Sequence, residues 1–420
     1  MVEAKRGWTR RSFLQLTAGA ALAAGAPRFV GRAMAQSDPI RIGHQCDLTG
    51  PLASTGYWRK KATDAAVAWV NEQGGIAGRR VEVITVDTET KVDVGVRRMR
   101  QLIQEERVDF VIGSEHGGIG MACNPIAQEY KTLYLSMSRT DNVTGKAANP
   151  YVFRLMANTS MTAHASGPWI IENTGKRWAV IHSDYVWGES NRDAWTYQVK
   201  RAGGEVVQSV AIPVNTTDPL SYIASVNRSV DCIFVALLAP DMPRATAALR
   251  DLGYTDKHIV TADAVFAVFD ILSLGRQVEG FWGMDSLPWE LADKDTPHLR
   301  LMRKAVGLDE HGREVGTGLS SVPGDIWPAW SNIGFLKVNI EGSGWKRRSD
   351  TEALIRYAEA NTRYPEGDLF PQGPLFIRPQ DHQAFARYYA LRIRDGRIRV
   401  QQELPNDAGI YPPTVDISSV

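Results

Sequence analysis

Two turns carry the residues best suited to chemistry. Glu115 and His116 lie inside the glycine-rich run Gly113–Gly120, and Ser136-Met137-Ser138-Arg139-Thr140 closes the stretch Val108–Thr140. An acid beside an imidazole suggests proton transfer, but neighbouring side chains on a turn diverge, so the pair reads as a binding feature rather than a catalytic one. Backbone N–H groups of a glycine-rich turn at a helix start suit an anion. Arginine can pair bidentately with a carboxylate, although Arg139 can equally face solvent. No GxSxG, HExxH, P-loop or EF-hand pattern occurs, and Gly113-x-x-x-Gly117-Gly118-x-Gly120 is not the dinucleotide spacing. The eight histidines do not fall at metal-ligand spacing. Three cysteines make no disulfide framework in a chain of 420 residues, though Cys46 and Cys123 can meet if the first strand lies beside Val108–Thr140. The expectation is a small-molecule site with no catalytic residue, metal or cofactor.

Those turns need strands to hold them. Val108–Ile112 reads as a buried strand, about Met121–Tyr130 as a helix and Thr132–Ser136 as a second strand. Turns at the carboxyl ends of parallel strands surround a ligand crevice, so this unit supplies half a site. Before it come a strand at Ile40–Asp47, a helix with Ala62, Ala65, Ala66, Trp69 and Val70 on one face, and a strand at Val81–Val86. A second amphipathic helix follows, marked by Val92, Val96, Met99 and Ile103. The alternation implies right-handed crossovers and a parallel sheet.

It then begins again. Strands are expected at Trp178–His182, Glu205–Ile212, Cys232–Leu238 and His258–Ala262, with helices between them, and Glu279–Asp285 leaves that unit. Later come a helix near Pro297–Val306, a loop with four glycines (Gly307–Gly318) and a tryptophan-rich helix at Asp325–Glu341. Ser349-x-x-Glu352 reads as a capping box before a helix with Leu354, Tyr357 and Ala358 inward. Tyr388–Arg394 and Arg397–Leu404 flank Asp395-Gly396, the signature of a type I′ hairpin whose arginines face solvent. Two α/β lobes fit a chain of this length.

At the amino end, Arg10-Arg11-Ser12-Phe13-Leu14, a weakly apolar run to about Ala26 and Ala33-Met34-Ala35 form a twin-arginine export signal over residues 1–35. Its removal takes six basic residues and one acid, leaving 42 basic against 46 acidic residues and a formal charge of −4. That balance argues against nucleic acid as a partner. Export to the periplasm of a soluble protein is the expectation.

Several segments together are similar to one family. They are Leu48-Thr49-Gly50-Pro51, Asn71–Asp87 (NEQGGIAGRRVEVITVD), Val108–Ser114 (VDFVIGS), Tyr134–Ser138 and Asp184-x-x-Trp187-Gly188. From about Ile40 to Pro405 the chain resembles the leucine/isoleucine/valine-binding proteins, solute receptors of ABC uptake systems for hydrophobic amino acids and amides. The resemblance implies two Rossmann-like lobes with parallel sheets joined by a multi-strand hinge, the type I periplasmic binding fold. Lobe 1 would span 38–158 plus 285–370, lobe 2 159–284 plus 371–410, and 411–420 a tail. The implied partners are a small solute, an inner-membrane permease and its ATPase, with the receptor itself a monomer.

The same resemblance assigns roles. The turn after VIG (Glu115–Gly118, with His116 and Gly117) and the Ser138-Arg139-Thr140 turn would hold a ligand carboxylate; Gly117 stands where relatives carry a serine and Arg139 where they carry a small residue. Thr55 and Tyr57 would line the cleft, or form a surface loop. Trp187 would stack on the ligand from the second lobe, or belong to the core. Asp263 would meet an ammonium group, or cap a helix. Leu238 and Ala239, where relatives often carry tyrosine, would leave room for a larger ligand. Other readings of the fold are a sensor that hands its closed form to a signalling receptor and, further off, an exported enzyme.

Overall fold

The computed structural model describes residues 38–238, 241–262, 274–289, 291 and 295–418. The export signal, Ala239 and Asp263 lie outside the described residues. The first half builds a five-stranded parallel sheet in the order β2-β1-β3-β4-β5, with β1 Ile40–Cys46, β2 Val81–Asp87, β3 Phe110–Gly113, β4 Tyr134–Ser136 and β5 Val152–Phe153. Its crossovers are α1 Ala53–Glu72, α2 Val92–Gln104 and α3 Gly117–Glu129. Buried Ala62, Ala66 and Val70 form the inner stripe of α1. On α2 the buried set is Val94, Gly95, Met99, Leu102 and Ile103, so the expected face is rotated and Val92 is exposed. Gly95 explains the turn: a Cβ there would lie 2.6 Å from Ile119 Cγ2, so α2 packs its glycine against α3.

The second sheet has the order β15-β14-β10-β9-β8-β6-β7. Its parallel part consists of β6 Arg177–Ser183, β7 Glu205–Ile212, β8 Cys232–Ala236, β9 His258–Thr261 and β10 Trp282–Asp285. The helices here are α4 Thr159–Thr174, α5 Val186–Arg201, α6 Leu220–Ala224 and α7 Met242–Asp251. The hairpin of β14 Tyr389–Arg394 and β15 Arg397–Glu403 adds antiparallel to β10. Asp395 and Gly396 both have positive φ (53° and 65°), as a type I′ turn requires. Arg394, Arg397 and Arg399 are exposed, while Arg392 covers the Trp282 ring at 4.3 Å.

Between β10 and β14 the chain returns to the first sheet as α8 Pro297–Val306, α9 Pro323–Ser343 and α10 Thr351–Ala360. Helix α9 is buried on nearly every side and runs along α1, with Trp330 at 5.6 Å from Trp69 and Lys337 Nζ donating to Gly75 O at 3.0 Å. The expected Ser349–Glu352 capping box does not form. Asp350 stands at the N-cap without a side-chain bond into the helix; its carboxylate accepts from the N–H groups of Lys346 (3.1 Å) and Arg347 (3.2 Å) in the preceding turn, and Glu352 pairs with Lys131. Leu354 and Ala358 point inward, but Tyr357 is exposed. Residues 363–385, which span the expected lobe crossing at 370/371, form an antiparallel sheet of β11 Arg363–Tyr364, β12 Leu375–Arg378 and β13 Gln383–Phe385. A bridge from Gln383 to Arg154 ties it to the end of β5. In the tail, the Tyr411 ring lies 5.8 Å from Phe385 and 5.3 Å from His164. All three cysteines are buried and free, so Cys46 and Cys123 form no disulfide.

Candidate functional site

Two buried side chains set the loops of the first sheet. Asp47, just past β1, accepts from Ser114 Oγ (2.8 Å), from Glu115 N (2.8 Å) and from Thr88 Oγ1, which fixes the β3–α3 loop. Arg154, just past β5, donates to Ser138 O (2.9 Å) and Thr140 O (2.5 Å) and to Gln383 Oε1 (2.6 Å), which fixes the turn after β4. Backbone carbonyls buried in that turn would otherwise lack partners. Burial lowers the Arg154 pKa below the usual arginine value.

Helix α3 starts at Gly117, four residues before the expected Met121, because His116 caps it: Nδ1 accepts from Ile119 N at 3.3 Å. The glycines read as a turn are a close-packed first helical turn. A Cβ on Gly120 would stand 3.2 Å from Ser138 Cβ, and one on Gly117 would stand 2.1 Å from Thr140 Oγ1 and 2.8 Å from Val186 Cγ2. Val186 opens α5 in the second sheet, so Gly117 marks direct contact between the two walls. His116 stacks on Tyr185 at 5.6 Å, and Tyr185 lies 6.1 Å from Trp187. Helix starts of the two sheets therefore face each other, with N–H groups and aromatic rings between them.

Behind the first wall sits a buried ionic cluster. Arg59 of α1 donates to Met137 O (2.6 Å) and to Asp325 Oδ1 of α9 (3.1 Å), and ion-pairs with Glu115. Arg139 donates to Gly324 O (3.0 Å) and lies 3.8 Å from Glu115 Oε1 and 3.7 Å from Asp325 Oδ1. Gly324 allows this approach: a Cβ there would meet Arg139 Nη2 at 3.0 Å and Asp285 Oδ1 at 3.4 Å. Burial, Asp325 and Asp47 raise the Glu115 carboxyl to about 7 against the pull of Arg59 and Arg139.

The structure places the expected site residues unevenly. His116, Gly117, Thr140 and Trp187 converge where the sheets touch, and Ser138 and Arg139 lie directly behind them. Arg139 is buried and ion-paired rather than facing solvent. Among the described residues, Thr140 Oγ1 and the Trp187 indole N–H are buried without a hydrogen-bond partner. Thr55 is buried in the first turn of α1, and Leu238 is buried with its N–H on Ser183 Oγ at 3.1 Å. Tyr57 is exposed, and its hydroxyl donates to Glu314 Oε1 at 2.5 Å. Lys61, Thr317 and Tyr57 together hold the Glu314 carboxyl down at about 2.

Sequence reasoning missed Asp47, Arg59, Arg154, Tyr185 and Asp325. Arg59 had a signal: it continues the Ala62–Ala66 stripe, where a charge needs a buried partner. Asp325 is likewise charged among the apolar residues of the first turns of α9. Among the described residues no group of three or more metal-ligating side chains occurs.

Two α/β sheets crossed three times among the described residues, meeting at loops on their strand ends, define a bilobal protein of the type I periplasmic binding fold. The chain belongs to the periplasmic binding protein family, whose model matches residues 39–397. Curated relatives include Leu/Ile/Val-binding protein homolog 3 of Brucella melitensis, 27% identical over 41% of this chain and 47% of that protein. Homolog 4 of Brucella abortus is 24% identical over 57% and 60%. The chain thus matches about half the length of these relatives. A solved R. palustris ABC-transporter solute-binding protein in complex with benzoate superposes with TM-score 0.73 at 18% identity, covering 87% of this chain and 96% of that one. The branched-chain amino acid binding protein LivJ of Streptococcus pneumoniae, in complex with isoleucine, gives 0.73 at 17%, covering 88% and 100%. Family membership implies a periplasmic address.

Proposed function

We propose that this protein is the solute receptor of an ABC importer. It takes an amino acid or a similar small amphipathic carboxylate or amide between its two sheets and delivers it to an inner-membrane permease and its ATPase. It acts as a monomer, without chemistry or cofactor, after export through its twin-arginine signal. The observation that carries the reading is the meeting of the α3 and α5 starts, where His116 and Gly117 touch Tyr185 and Val186 beside Trp187. Loops from the carboxyl ends of two parallel sheets converge there, the place where open α/β folds take ligands, and hinge motion between lobes opens and closes such a cleft. In this reading His116, Gly117, Ser138, Arg139, Thr140, Trp187 and Leu238 border the solute, with Thr55 and Asp263 beside it and Tyr57 at the mouth. The benzoate and isoleucine held by the two structural neighbours support a solute that joins an apolar or aromatic body to a carboxylate.

A solute that binds only the folded state raises its melting temperature. A panel of amino acids, amides and aromatic acids should therefore shift the melt for one chemical class and change tryptophan fluorescence through Trp187. A panel with no shift and no fluorescence change overturns the receptor reading.

A further inference from the structure

The segment after β15 does not stay with the sheet it leaves. It starts beside the third crossing, where Leu404 N donates to Tyr388 O at 2.9 Å and Arg387 holds Glu403 (2.9 Å) and Asn406 (2.7 Å). It then lies on α4 of the second sheet, where a Cβ on Gly409 would stand 2.9 Å from Met161 Cγ. By Thr414 it has reached the first sheet. A Cβ on Gly145, in the β4–β5 connection, would stand 3.2 Å from Thr414 Oγ1. Ile417 N then donates at 2.8 Å to Gln380 O, in the turn between β12 and β13 of the small sheet tied to β5.

Tyr411 stands between these anchorages, at the hinge itself. Its hydroxyl accepts from Asn158 Nδ2 in the first crossing, and its carbonyl accepts from Arg378 Nη1. Its ring lies 5.3 Å from His164 of α4 and 5.8 Å from Phe385 at the end of β13. Pro412 and Pro413 follow, both exposed. Consecutive prolines fix φ at each position and hold the backbone extended, at about 3.1 Å per residue. Neither ring is buried, so what the pair contributes here is stiffness rather than packing.

We propose that residues 405–418 form a stiff strut across the hinge, fixed to α4 at Gly409 and to the first sheet at Thr414 and Ile417, that limits how far the two walls swing apart. Hinge motion requires the connections between lobes to absorb the rotation in their backbone dihedrals. A proline pair anchored at both ends resists this, because it neither folds nor slackens to follow a changing span. The walls touch at Gly117 and Val186 with the strut in place, so its contacts fit the closed arrangement. The inference rests on the solute-receptor reading, in which this cleft opens and closes, and goes beyond it by naming what restrains the opening. The match to the family model ends at residue 397, before the strut begins.

Spin labels test this without any solute. Asp93→Cys in the first turn of α2 and Glu189→Cys in the first turn of α5 put one label on each wall at exposed positions, and the three native cysteines are buried. Pulsed electron resonance on the solute-free full chain should give a narrow distribution of label distances. Adding Pro412→Gly and Pro413→Gly, which keeps every anchoring contact, should broaden it and move it outward by several ångströms, the scale of a hinge rotation of about 15°. A chain that stops after Tyr411 should show the same shift. In the unlabelled wild type, the Ile417 amide should exchange with solvent at least about tenfold more slowly than an unprotected amide, as a held anchorage requires. That measurement needs no variant, so it decides the matter even if the altered chains fail to fold. Distances unchanged in both altered chains overturn the proposal, and so does an Ile417 amide that exchanges freely. The receptor reading fails separately, when the whole panel of solutes produces no response.

Discussion

The two walls of the cleft are built on opposite principles. The first is polar and ionic: Arg59, Glu115, Arg139 and Asp325 satisfy one another, and Asp47 and Arg154 pin the loops that carry them. The second is aromatic and apolar, with Tyr185, Val186, Trp187 and Leu238 presented from α5 and the end of β8. A buried ion cluster is held by its mutual partners, so altering one member disturbs the rest. An apolar wall has no such interdependence and changes by volume alone. In the proposed receptor, orientation and charge selection would belong to the first wall, and size and shape to the second.

The sharpest way to break this contrast is Asp325→Ala. It takes from Arg59 one of its two carboxylate partners, leaving Glu115, and takes one from Arg139 as well, so it should destabilise the fold by about 3–5 kcal/mol, read by urea denaturation. A loss under about 1 kcal/mol would mean that the first wall is not mutually dependent. Next in size is Gly117→Ser, the residue that the family resemblance implies at this position. Its side chain would meet Thr140 and Val186, and such overpacking costs about 1–3 kcal/mol, felt only when the walls touch. Solute affinity should drop about tenfold or more while the open form keeps its stability, which calorimetry and denaturation separate.

A smaller effect concerns pH. The Glu115 carboxyl is raised in the folded state from 4.5 to about 7, so the folded protein binds more protons than the unfolded chain between those values. Its contribution to stability is complete below about 4.5 and is lost as pH rises through about 7. Denaturation midpoints of the wild type and Glu115→Gln, compared across this window, should differ by a slope of that sign. The smallest change is expected for Tyr57→Phe, which removes a half-exposed hydroxyl from Glu314. It should cost less than about 1 kcal/mol and leave solute affinity unchanged; a loss of affinity would move the mouth into the site.

Much of the fold was legible because its signals are local. The alternation of buried strands with amphipathic helices marked the two parallel arrays, and Asp395-Gly396 marked the hairpin, though not its register shift between Ala390 and Leu391. The start of α3 was misplaced because glycine usually signals a turn, whereas Gly117 and Gly120 are glycines for lack of space. The site was legible only in part. Gly117 and Arg139 were singled out as departures from relatives, but their causes, Val186 and the Glu115–Asp325 pair, lie far along the chain. Arg59 finds Asp325 266 residues away and Asp47 finds Ser114 67 away, and such pairings leave no trace in spacing. Charges set in apolar stripes were the available clue, and they reveal the need for a partner without naming it.

The bare α-carbon of Gly117 has one more consequence. The walls come together at backbone thickness there, with only a hydrogen where every other residue would put carbon against Thr140 and Val186. That spot works as the stop of a caliper. In the proposed receptor, a cargo too thick for the remaining depth would hold the jaws apart, however well its polar groups match. Variation elsewhere around the cleft can retune which molecules are welcome, but the gauge of what fits is cut into the main chain.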